Sequence, residues 1–117
     1  MELFDKESLY EIKKATTTQY YVPAELFDGM QYKLVRLEVK WAYVACLNVM
    51  IKHAQYDKKN LAFIKDDSPA IIESLKVLAN KSVDREKIAG YLSEMEDEKL
   101  IVRDGKNIYL RKIVSIF

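Results

Sequence analysis

From Leu37 to Ala54 the chain reads LEVKWAYVACLNVMIKHA. Apolar side chains fall on nearly every side of this helical stretch, which predicts a central helix covered by neighbours on several faces. The flanking segments carry narrower stripes. Residues 3–15 fit a short amphipathic helix, with Leu3, Phe4, Leu9 and Ile12 inward and Lys6, Glu7, Lys13 and Lys14 outside. The β-branched run in TTTQ lowers helix propensity and reads as a linker or extended entry. Pro23 disfavours helix at Val22 and opens a short helix, PAELF, which Asp28-Gly29 ends.

After the central helix, QYDKKN is a polar loop and LAFIK a short strand. DDSP signals a helix start, with Asp67 or Ser68 as cap and Pro69 first inside. In the helix that follows, Ile71, Ile72, Leu75, Leu78 and Ala79 point inward. Beyond Ser82-Val83, the residues Ile88, Leu92 and Met95 share one helical face. LIVRDGKNIYLRKI has the pattern of a hairpin turning at Asp104-Gly105. Strand alternation puts Ile108 and Leu110 on one face, and Tyr109 and Arg111 on the other. The division is an N-terminal helix and linker, 1–19, before one domain, 20–117.

Composition narrows the function classes. Half of the 117 residues are apolar, enough for a core, and the net charge is only +1, so any electrostatic footprint must come from local segregation of charge. The run WAYVACLNVMI, bounded by Lys40 and Lys52, is too short to span a bilayer, and MELFDKESLYEIKK has no apolar core for a secretory leader. A single cysteine, Cys46, forbids an internal disulfide and fits a reducing cytoplasm. His53 is the one histidine, so no histidine-based metal site is expected. Cys46 lies in the apolar helix as inert packing, and three scattered glycines make no phosphate-cradling loop. No catalytic set, metal or cofactor is expected.

The element order is helix, strand, helix, turn, helix, hairpin. LANKSVDREKIAGYLSEMEDEKLI resembles the helix-turn-helix core of bacterial winged helix regulators and replication proteins. Upstream, Tyr20, Tyr21, Pro23, Leu26, Phe27, Tyr32 and Lys33 resemble the start of the N-terminal domain of plasmid and mobile-element replication initiators. The resemblance covers residues 20–112. It implies a mainly α fold with a small β-hairpin: a winged helix-turn-helix with an extra N-terminal helix and an extended arm. It also implies DNA as a partner. The pattern departs from the family at three places. Ala89 and Gly90 fall where bases are usual, and neither side chain can hydrogen-bond a base edge. Residues 84–99 hold six acids (Asp84, Glu86, Glu94, Glu96, Asp97, Glu98) against three bases (Arg85, Lys87, Lys99). Lys99 stands where a small residue, often Gly, ends such a helix.

Two functional readings follow. In the first, a cytoplasmic replication-associated protein binds DNA, single- or double-stranded and with little sequence preference, through backbone contacts. Its candidate residues are Arg85, Lys87 and Tyr91 on the third helix, and Arg103, Lys106, Tyr109 and Arg111 on the wing. Lys33, Arg36, Lys40, Lys52, Lys58 and Lys59 are candidates to extend that positive surface. In the second, a small accessory subunit docks on a polymerase, primase or helicase. Ala89 and Gly90 would let a partner backbone approach, beside an acidic ridge of Glu94, Asp97 and Glu98. A transcriptional repressor is a third reading, with a recognition helix less basic than usual. Full initiators usually carry further domains beyond the wing, which favours an accessory role or a fragment. Against each candidate stands a plainer role: solvated charges, edge-guarding lysines, Asp66-Asp67 as a helix cap, and Trp41 and most tyrosines as core or rim. The N-terminal helix either packs back on the domain or pairs with a second copy.

Overall fold

The chain is built around α3 (Leu37–His53), in which every residue from Ala42 to Met50 is buried. The structure, a computed structural model, describes residues 2–16 and 19–113. Thr17 and Thr18 of the expected linker, and 114–117, lie outside the described residues. Because α3 has no polar face, it is surrounded. Against it pack α1 (Lys6–Ala15), α4 (Pro69–Ala79), α5 (Arg85–Asp97) and the strand β2 (Ala62–Lys65). The remaining elements are a short α2 (Ala24–Asp28) with a turn of 3₁₀ helix (Met30–Tyr32), β1 (Gln55–Tyr56), β3 (Ile101–Asp104) and β4 (Asn107–Leu110). The four strands form one antiparallel sheet in the order β1-β2-β4-β3. Helix, strand, helix, helix and hairpin follow the expected winged helix order.

The extended arm is tied to α3 by its one buried amide. Asn48 Nδ2 donates to the carbonyls of Tyr21 and Val44, both at 2.8 Å, and Oδ1 accepts the Tyr21 amide at 2.8 Å. A polar group on an otherwise apolar helix is thus fully paired, and it fixes where the arm crosses. Tyr43 does the same at the other side of the helix: its buried hydroxyl donates to the Arg111 carbonyl at 2.5 Å.

The N-terminus folds back rather than projecting. Helix α1 starts at Lys6, later than the stripe suggested, because Asp5 and Ser8 form a reciprocal cap. Leu3 and Phe4 are therefore extended. The Phe4 amide donates to the Leu110 carbonyl at 3.1 Å, and its carbonyl accepts the Ala62 amide at 3.0 Å. Phe4 and Leu9 are buried within the chain, so of the two readings of this helix, packing back on the domain is the one observed.

Local chemistry corrects several further boundaries. The polar loop QYDKKN begins with β1, and Asp57 organises its turn by accepting the amides of Lys59 and Leu61 at 2.8 and 2.9 Å. The hairpin loop is Gly105-Lys106, one residue later than expected. Asp104 pairs with Asn107, and Gly105 alone takes a positive φ, +59°. Ser68 occupies the cap position of α4 without a side-chain bond, and Asp66 and Asp67 are not caps. Trp41 is half-buried, its ring centroid 5.0 Å from that of Phe27.

Helix α5 ends in a Schellman arrangement. The Leu100 amide donates to the Met95 carbonyl at 2.8 Å, and Lys99 donates to Glu96 at 3.1 Å. Lys99 itself sits at φ 60°, a left-handed conformation that costs an L-residue ~1–2 kcal/mol and a glycine almost nothing. Lys99→Gly should therefore raise unfolding stability by ~1 kcal/mol, read as a higher urea midpoint at unchanged slope. Asn48→Leu should lower it by ~2–3 kcal/mol, because it leaves the Tyr21 amide and carbonyl without partners. An unmoved midpoint in the Asn48 variant would show that the arm is held by other contacts.

Candidate nucleic-acid interface

Helix α5 is anchored by Ile88, Leu92 and Met95, as its spacing required, and also by Tyr91. Asp84 caps it by accepting the Lys87 amide at 2.8 Å. That leaves Arg85, Lys87, Ala89 and Gly90 exposed along its first half. Arg85 and Lys87 make no ion pair among the described residues. A Cβ added at Gly90 would meet nothing within 4 Å, so the glycine is not imposed by packing. Tyr91 does not belong with the surface candidates. It is 2% exposed, and its hydroxyl donates to Glu38 Oε2 at 3.2 Å.

The side of α5 facing the start of α3 is closed by a charge network. Arg36 grips Glu94 with two bonds, Nη2 to Oε1 at 2.6 Å and Nε to Oε2 at 3.0 Å. Arg36 also lies 3.6 Å from Glu38, which accepts Lys81 at 3.2 Å. The hydrogen bond from Arg36 holds the Glu94 carboxyl below its usual range, and that from Lys81, with Tyr91, does the same for Glu38. The hydrogen bonds to Glu94 and Glu38 in turn raise Arg36 and Lys81. One pair thus removes a member from each proposed surface: Glu94 from the acidic ridge and Arg36 from the basic patch. Asp97 and Glu98 remain exposed and outside any ion pair among the described residues.

The wing is less positive than its sequence. The β2–β4 pairing brings Asp66 and Asp67 alongside the hairpin, where the Asp66 amide donates to the Lys106 carbonyl at 2.8 Å. Arg103 Nη2 then binds Asp66 Oδ2 at 2.7 Å with both side chains largely shielded. Lys106 lies 3.6 Å from Asp67, a looser and exposed contact worth little in water. Tyr109 and Arg111 share a face as alternation demands, but the Tyr109 hydroxyl donates to Asp57 Oδ2 at 3.2 Å and its ring lies 5.7 Å from Phe63. Desolvation, and then the bond to Asp57, raises the Tyr109 hydroxyl. Desolvation pushes Asp57 up, yet the amides of Leu61 and Lys59, with Tyr109, outweigh it and hold Asp57 low. Arg111 is half-buried, with Nε unpartnered. Lys106 is the wing cation with the most accessible side chain, and a cleft of about 190 Å³ between α5 and the wing gathers Arg85, Ala89 and Arg103 around Asp66.

Three of the remaining basic candidates, Lys40, Lys52 and Lys59, stand apart from this surface. Lys40 is 7% exposed, with Nζ 6.0 Å from the Phe27 ring centroid. Lys52 and Lys59 lie at the opposite end of α3, where they line a groove with Lys6 and Lys13. Sequence reasoning did not join those four, because the fold-back of residues 3–5 brings them together. Burial pushes the Cys46 thiol up to about 12, so it is a packing group. Among the described residues no three His, Cys, Asp or Glu side chains cluster to hold a metal, and no helix is long and apolar enough to cross a membrane.

No protein-family model and no curated protein matches the chain. Three solved structures do share its fold. One described as "Structure of Rep-DNA complex" has a TM-score of 0.59 at 22% identity, covering 99% of this chain and 88% of the other. One described as "Structure of MDR initiator" has a TM-score of 0.58 at 22% identity, over 97% and 88%. "N-Terminal domain of DNA binding protein" gives 0.57 at 23% identity, over 97% and 86%. The chain therefore has the fold of these proteins along nearly its whole length.

Proposed function

We propose that this protein is a replication-associated DNA-binding protein of the plasmid or mobile-element initiator type, with no chemistry of its own. The observation that carries the reading is the exposed first half of α5. There Arg85 and Lys87 stand free of carboxylate partners, in a fold shared with a protein described in complex with DNA. On this reading the first half of α5 approaches the backbone through Arg85 and Lys87, with Lys106 of the wing as a further contact. Ala89 and Gly90 donate nothing to base edges, so phosphate contacts carry the affinity. A reducing cytoplasm suits the single buried thiol.

Changing Arg85 and Lys87 together to Ala should weaken binding to a mixed-sequence duplex roughly tenfold for each cation removed near 0.1 M salt, and lower the salt slope by ~0.9 for each. Fluorescence anisotropy across a salt series measures both. Undiminished binding by the double variant would end the proposal.

The open space around Gly90, beside the unpaired Asp97 and Glu98, favours a second reading as a docking module for a replication protein. Gly90→Arg separates the two. The site has room and the change favours helix by ~1 kcal/mol, so the variant should fold at least as stably. It should tighten DNA binding if α5 faces phosphates, and abolish complex formation if α5 faces a partner's backbone. Both effects are readable on one sample, by anisotropy and by size-exclusion with the candidate partner.

A further inference from the structure

The His53 end of α3 is built differently from the end that meets α5. There α1, the last turn of α3 and the β1–β2 loop enclose a groove of about 650 Å³, within the ~300–1,000 Å³ range of ligand clefts. Lys6, Lys13, Lys52 and Lys59 line it, and none of them is in an ion pair among the described residues. Asp5 and Glu7 also reach it, but Asp5 is engaged by the Ser8 amide at 2.8 Å as the helix cap. The lysines stay in excess. Two tyrosines complete the wall: Tyr10, 62% exposed, and Tyr56, 40% exposed. Lys6 Nζ lies 5.7 Å from the centre of the Tyr56 ring.

Interleaved ammonium groups and exposed aromatic rings suit a strand whose phosphates and bases are both accessible. A duplex keeps its base faces stacked and would leave the rings unused. An acidic peptide would satisfy the lysines and leave the rings equally idle. At 1.5 Å per residue the seventeen residues of α3 span about 25 Å, which separates this groove from the contact of Arg36 with Glu94 on α5, and none of its lining residues lies on α5 or the hairpin.

We propose that this groove is a second nucleic-acid site, which binds single-stranded DNA by phosphate contacts to the lysines and base stacking on Tyr10 and Tyr56. The choice of DNA as ligand rests on the function proposed above, but none of the residues is shared with it.

The test titrates the full chain with three labelled probes: oligo-dT of about 15 nucleotides, an abasic strand of equal length, and a mixed-sequence duplex. Lys13→Glu with Lys59→Glu should weaken both single strands at least ~tenfold and reduce their salt slope. Lys52→Gln, milder for the helix end, should act in the same direction. Tyr10→Ala with Tyr56→Ala should weaken oligo-dT ~tenfold and leave the abasic strand unchanged. All these side chains are exposed, and circular dichroism checks that each variant folds. Duplex binding should be unmoved by every one. Oligo-dT binding that ignores both variant pairs overturns the proposal, as does a polyglutamate peptide that competes as well as oligo-dT. A chain that binds no duplex, yet whose oligo-dT binding follows the groove variants, would refute the α5 reading and uphold this one.

Discussion

Everything in this fold follows from one helix that cannot face water. Residues 42–50 of α3 are buried without interruption, so cover is needed on every side, more than a minimal helix-turn-helix with a hairpin supplies. The remainder comes from the arm and from α1. That explains why residues 3–6 are drawn into backbone bonds with Leu110, Ala62 and Asn60. It also explains Asn48. An extended arm brings backbone amides and carbonyls into an apolar surface, where each needs a partner. A single carboxamide, offering donor and acceptor together, meets that need at Tyr21.

The same covering helix separates two kinds of surface. At its N-terminal end, Arg36, Glu38, Lys81, Tyr91 and Glu94 neutralise one another and clamp α5 in place. At its C-terminal end the lysines have no such partners among the described residues. A net charge of +1 therefore hides an uneven distribution, in which carboxylates are spent on structure near α5 and the wing. Counting charges along the hairpin overstates its field, because Asp66 and Asp67 are supplied by a different part of the chain.

What was legible in the sequence was what depends on neighbours a few residues apart. The apolar spacing of Ile88, Leu92 and Met95, the helix start at Ser68-Pro69, and the alternation of Ile108 and Leu110 all rest on local periods. The order of elements followed from them. Partner choice was illegible: Asn48 meets Tyr21 across 27 positions, Arg103 meets Asp66 across 37, and Tyr109 meets Asp57 across 52. No spacing rule reaches that far. Tyr91 was misplaced for a related reason: it follows the anchor Ile88 by three positions, and only the approach of Glu38 gives its hydroxyl a place inside.

The acidic end of α5 is where stability and function pull apart. Glu96, Asp97 and Glu98 sit at the negative pole of the helix, and its last turn has no basic residue to offset them. They cost the fold stability, and none is in an ion pair among the described residues. A stability device would carry lysines there, so the stability of the fold does not account for these acids. Either proposed function would give them a role. A partner with a basic surface would be attracted to this end. A DNA backbone would be repelled by it, whereas in the first turn Arg85 and Lys87 balance Asp84 and Glu86, so α5 would favour approach by its first half. Ala89 and Gly90 offer no base-reading side chain, so the charge along α5, with Lys106 of the wing, would set its direction on DNA. Its polarity of charge then does the orienting that hydrogen bonds to bases do in a sequence reader.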